Sequence, residues 1–136
     1  MSLLMIRMIF GVAAAYDFLI GLVFLLAGKA LFDASGIPHP NHWGYIQFGS
    51  LMLIIFGIMF FCVAKAPVSN RNLIPFGMLL KMSYVGMVAY YWITTGCPFL
   101  FKPFAVIDLL MLVLFAIAYR STAPSPTTNP NELRNS

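Results

Sequence analysis

Apolar residues along this chain gather into four long runs, separated by short stretches rich in proline, glycine and polar residues. The runs extend from about Leu4 to Gly28, Trp43 to Ala64, Leu73 to Thr95 and Pro103 to Tyr119. An apolar segment of about 17–25 residues is long enough to cross a bilayer's hydrocarbon core as a helix. A helix satisfies its own backbone hydrogen bonds in lipid, whereas a membrane barrel needs alternating strands of about ten residues. No such alternation occurs here, so the pattern predicts an all-α, antiparallel four-helix transmembrane bundle over residues 1–120.

The breaks have physical causes. Ser35-Gly36-Ile37-Pro38-His39-Pro40-Asn41 holds a glycine and two prolines that cannot continue a helix. Asn41 is placed to cap the second span. Ala66-Pro67-Val68-Ser69-Asn70 turns the chain between spans two and three, and Thr95-Gly96-Cys97-Pro98 ends the third. Residues 121–136, with Pro124, Pro126 and Pro130 and almost no large apolar residues, read as a disordered polar cytoplasmic tail. The first run is not read as a cleaved signal peptide. Its apolar region is longer than the usual 7–15 residues and holds an acid at its centre.

Composition excludes several classes. Of 136 residues, 61% are hydrophobic and 9% charged, against about 25% charged in a soluble domain. This excludes a soluble enzyme, a nucleic-acid module and a secreted disulfide scaffold. The net charge of +4 serves instead to orient the chain. Arg7, Lys65, Arg71, Arg120 and Arg134 fall on the side of the termini, Lys29 and Lys102 on the other. The bias predicts both termini in the cytoplasm, in an inner or plasma membrane. Trp43, Tyr45 and Trp92 fall near the outer ends, where an aromatic belt sits. Cys62 and Cys97 belong to opposite faces, so no disulfide joins them, and Cys62 reads as a small core residue.

Three ionisable residues interrupt the spans: Asp17, Lys81 and Asp108. Each costs about 2.5–3.5 kcal/mol to insert and faces the bundle interior as a rule. At 1.5 Å per residue, Asp17 lies roughly 20 Å and Asp108 roughly 17 Å from the cytoplasmic ends. Lys81 lies roughly 12 Å in, with a stem that reaches upward, so the three heads can meet at one level.

Helical rotation agrees. Ala14, Asp17, Gly21 and Gly28 share an arc of roughly 60° on span one, and small residues mark a packed face. Gly77, Lys81, Tyr84, Val88, Tyr91 and Thr95 share roughly 80° on span three. Gln47, Ser50, Ile54 and Gly57 share one side of span two. Asp108 aligns with Phe104, Leu112, Phe115 and Tyr119 on span four.

Two interpretations follow. Lys81 can simply neutralise an aspartate and fix helix register. Alternatively, two acids against one base leave a surplus proton-binding or ligand-binding site. In that case Asp17 and Asp108 hold or exchange a proton, Lys81 counters their charge, and Tyr84 and Tyr91 supply hydrogen bonds.

Other chemistry is sparse. His39 and His42, with Asp33 nearby, fall short of the ligand set of a catalytic zinc site, and read as an interfacial turn. Neither histidine lies in a span, which leaves no axial ligands for a membrane haem. No Gly-rich phosphate loop, HExxH or GxSxG signature is present, so no catalytic activity of its own is expected and any electron carrier belongs to a partner or diffusible ligand.

The first span and its exit, Tyr16-Asp17-Phe18-Leu19-Ile20-Gly21-Leu22-Val23-Phe24-Leu25-Leu26-Ala27-Gly28-Lys29-Ala30-Leu31-Phe32, resembles the opening of DoxX-like small membrane proteins. Arg7, near the start of the span, and the Gly28-Lys29 exit match that family's pattern, as does the four-helix plan. The resemblance implies an accessory subunit or partner of a membrane redox system, with a quinone as the associated small molecule. The alternatives are a proton-coupled transporter or channel component, which would need a homo-oligomer to enclose a passage, and a purely structural assembly subunit.

Overall fold

The computed structural model describes residues 1–124; the tail predicted from sequence lies, beyond Pro124, outside the described residues. Four helices account for most of the chain: α1, Leu3–Ala34; α2, Gly44–Lys65; α3, Ile74–Thr94; and α4, Lys102–Ser121. Single 3-10 turns, Arg71–Leu73 and Phe99–Phe101, lead into α3 and α4, each of which carries a proline in its first turn. Proline suits that position, because the first N–H groups of a helix have no acceptor within it.

Each helix is long and apolar enough to cross a membrane, and α4, the shortest at 20 residues, reaches about 30 Å, one hydrocarbon thickness. The surface is inverted relative to a soluble bundle. Leu4, Leu26, Phe48, Ile93 and Leu110 are exposed, while Asp17, Ser50, Lys81 and Asp108 are buried. Together these features make the chain a multi-pass membrane protein by architecture.

The helices pair as two hairpins. α1 packs along α2 and α3 along α4, with far less contact between the hairpins. In the first hairpin, glycines bring the backbones together. A Cβ at Gly21 would stand 2.6 Å from the Ser50 carbonyl, and one at Gly57 would stand 3.0 Å from the Ala14 carbonyl. Without lipid-driven hydrophobic force between helices, such close van der Waals approach is the main source of association.

The two hairpins meet most tightly in the half nearest the termini, where the Met1 amino group lies 3.5 Å from Ser121 Oγ. There Phe10 stacks on Phe115 with centroids 4.4 Å apart, and Phe60 meets Phe115 edge-on at 5.1 Å. Ile6, Val63, Ile74 and Ala118 complete a fully buried plug. Gly77 lies flush against the Phe60 ring, leaving no room for a side chain.

Several details depart from the sequence expectations. α1 runs two turns beyond Gly28, to Ala34, across a break at Ala27 (φ −125°, ψ 15°). Past the break, Phe32 is buried and packs on Trp43 and Phe101. α4 begins at Lys102 and includes Ser121, so the tail starts later than expected. Asn41 does not cap α2. His42 does the equivalent work, its Nδ1 accepting from the Gly44 N–H at 3.0 Å. Gln47 is exposed instead of joining the packed side with Ser50 and Gly57, and Cys62 is exposed, not a core residue.

Candidate functional site

The three charged residues come together inside the bundle, one from α1, one from α3 and one from α4. Lys81 Nζ lies 2.6 Å from Asp17 Oδ1 and 2.9 Å from Asp108 Oδ1. Lys81 is 0% exposed, Asp17 1% and Asp108 6%. The contact to Asp17 is a directed, charge-assisted hydrogen bond. That to Asp108 is an ion pair, so the ammonium is shared between the two carboxylates.

Helix geometry explains the convergence. Asp17 sits between Ala14 and Gly21 on the face that α1 presents to the bundle, all three buried. Lys81 is one turn beyond Gly77 on α3, where the plug ends. Its stem passes the Phe60 ring, and its Nζ stands 5.7 Å from that ring's centroid and 5.3 Å from that of Tyr16. Asp108 lies between Ala105 and Met111 on the buried side of α4.

Beyond this ionic level, toward the end away from the termini, the hairpins separate. A cavity of about 710 Å³ opens between them, within the roughly 300–1,000 Å³ typical of small-molecule sites. Its floor is made by Tyr16, Asp17, Tyr84 and Asp108. Aromatic walls come from Phe24, Phe101 and Phe104, while Gly49 and Ser50 give α2 a short-sided face. Ile20 and Phe24 continue the line of Tyr16 up α1, at the four-residue spacing that repeats one helix face.

The tyrosines named from sequence differ in role. Tyr84 is half-buried on the floor, with its hydroxyl donating to the Phe101 carbonyl at 3.2 Å. Tyr91 lines the same cavity as Asp17, Tyr84 and Asp108, at an exposed position on its rim. Tyr16 was not singled out from sequence. Its buried hydroxyl has no hydrogen-bond partner among the described residues, and neither has Asp17 Oδ2. The i, i+4, i+8 aromatic and aliphatic line from Tyr16 was the available signal.

No protein-family model, characterised protein or solved structure matches this chain. Its chemistry therefore rests on the site itself. A buried ionic cluster lies at the end of a largely apolar chamber, an arrangement suited to gripping the polar end of an apolar molecule.

The outer turn offers no comparable site. His39 Nε2 pairs with Asp33 Oδ1 at 2.7 Å, in an exposed position, while His42 is engaged with the start of α2. Among the described residues no group of three or more His, Cys, Asp or Glu is placed to hold a metal ion. Lys29 over Trp43 and Lys102 over Trp92, at 5.6 and 4.5 Å, lie at the cavity end of the bundle, where aromatic and basic anchors meet a membrane surface.

Proposed function

We propose that this is a small ligand-binding membrane protein that holds an apolar molecule between its hairpins, with the molecule's polar end on the Asp17–Lys81–Asp108 floor. One observation carries the reading: the cavity of about 710 Å³ ends on the buried Asp17 and Asp108 carboxylates. Each uncompensated polar group at that depth carries a desolvation cost that a bound head group offsets.

In this reading the protein is an accessory subunit of a membrane redox system, as its likeness to DoxX-like proteins implies, and a quinone is a candidate ligand. A quinone carbonyl needs a hydrogen-bond donor, which the Tyr16 hydroxyl supplies. The positive-inside bias favours cytoplasmic termini in an inner or plasma membrane, so the cavity would open on the opposite side. A continuous proton path is the weaker reading, because the Phe10–Phe60–Phe115 plug fills the other half of the bundle.

The test is native mass spectrometry of protein purified in mild detergent. The proposal expects a small apolar molecule on the wild-type chain and loss of it in Val88→Trp, since Val88 is buried against the cavity. No bound species on the wild type, with added short-chain quinone also failing to bind, would overturn it. Co-purification of a redox enzyme in the same detergent would support the accessory role; its absence under crosslinking would count against that part.

A further inference from the structure

We infer that the cavity selects a lipophilic monocation, a molecule with one positive charge on a bulky apolar body. The inference rests on the ligand-binding reading above and assigns its ligand class. Its starting point is which groups of the triad reach the chamber. Asp17 and Asp108 line it, together with Tyr16 and Tyr84, but Lys81 does not. The ammonium is fully buried behind the carboxylates, held at 2.6 and 2.9 Å and flanked by the Tyr16 and Phe60 rings. A molecule descending from the rim therefore meets the edge of the Asp108 carboxylate, 6% exposed, before the ammonium, which is 0% exposed.

Charge counting points the same way. With both carboxylates ionised, one negative charge is left over against the single ammonium, at a depth where a lone charge costs about 2.5–3.5 kcal/mol. Among the described residues no other cationic side chain lines the cavity, and α2 brings only the short, apolar or aromatic Tyr45, Ile46, Gly49, Ser50, Met52 and Leu53. Lys29 and Lys102 sit on Trp43 and Trp92, outside the lining. Asp17 is 1% exposed, and its Oδ2 has no partner among the described residues. A bound cation would supply the missing charge at Asp108, which is 6% exposed.

The walls refine the class. Phe24, Phe101, Phe104 and the tyrosine rings present aromatic faces, which attract cations when water is excluded. An inorganic divalent ion is a poor fit, because it demands six or more oxygen ligands that these walls do not offer. A neutral quinone finds a single free donor, the buried Tyr16 hydroxyl, since the Tyr84 hydroxyl is already committed to the Phe101 carbonyl. Shape, aromatic lining and charge together favour an organic cation.

The experiment compares three probes on the full chain in mild detergent by equilibrium dialysis: tetraphenylphosphonium, neutral triphenylphosphine oxide and a short-chain ubiquinone. The inference expects saturable binding of the phosphonium at least tenfold tighter than either neutral probe. Asp17→Asn and Asp108→Asn each remove the surplus charge and should shrink that gap at least tenfold. Should both variants fail to fold, the wild-type comparison still decides. Equal or tighter binding of a neutral probe overturns the charge selectivity while leaving the ligand-binding reading intact. Absence of saturable binding by all three overturns both.

Discussion

Replacing Lys81 with methionine is the most informative single perturbation, because it keeps the stem's bulk and removes only the charge between two acids. At 2.6 and 2.9 Å, and with an effective dielectric of about 20, each ion pair is worth about 6 kcal/mol of attraction. Desolvating the three ions takes back several kcal/mol apiece, so the intact cluster contributes little net stability. Breaking it is another matter. With Lys81 gone, Asp17 and Asp108 are left buried without a counter-ion, a loss of about 3–5 kcal/mol. On a scale of about 4 °C per kcal/mol, the melting temperature should fall by about 10–20 °C. The triple variant Asp17→Asn, Lys81→Met, Asp108→Asn removes every charge and should recover most of that loss. Denaturant titration in mixed micelles, read by helicity, measures both. Wild-type stability of Lys81→Met, or a triple variant no better than the single one, would refute the reasoning.

Further outcomes follow from the packing. Gly57→Val drives a side chain toward the Ala14 carbonyl and Phe18 N–H, 3.0 and 2.9 Å from where its Cβ would lie; it should lose about 1–3 kcal/mol in the same titration. Phe10→Ala empties the centre of the plug and should lose about 3–5 kcal/mol. Asp33→Asn removes only an exposed pair with His39, and a change under about 1 kcal/mol is expected. His42→Ala deprives the Gly44 N–H of its acceptor and should cost about 1 kcal/mol, visible as fraying at the start of α2 by amide hydrogen exchange.

The four helices were legible because lipid imposes a length and an apolar content that few other structures meet. The packed face of α1 was legible as well, since Ala14, Gly21 and Gly28 are small and Asp17 cannot face acyl chains at that depth. Lys81 and the two aspartates followed from depth and rotation together. Cys62 shows where such reasoning ends. Lipid and protein interior are both apolar, so a small apolar residue carries no signal of direction.

The chamber was hidden for a different reason. It arises where the hairpins part above the ionic level, a matter of inter-helix geometry that no single helix encodes. Tyr91 shares the Lys81 stripe of α3 and reaches the cavity at its exposed rim. Tyr16 was passed over because its neighbour Asp17 holds the central direction of α1. Only the opening beside α4 turns Tyr16, Ile20 and Phe24 into a wall. The helix beyond Ala27 was likewise unreadable, since Gly28 and Lys29 look like a stop.

The central claim is that one half of the bundle is an accessible chamber and the other a closed plug. Thiol labelling tests it most directly, in liposomes and in a Cys62→Ser, Cys97→Ser background. The Ser83→Cys variant reports on the chamber and Val63→Cys on the plug, as Ser83 is exposed and lines the cavity while Val63 is fully buried beside Phe60. A small impermeant thiol reagent should modify the Ser83→Cys protein from the side away from the termini, and the Val63→Cys protein from neither side. An unreactive Ser83→Cys protein, or reaction only from the side of the termini, would contradict the account.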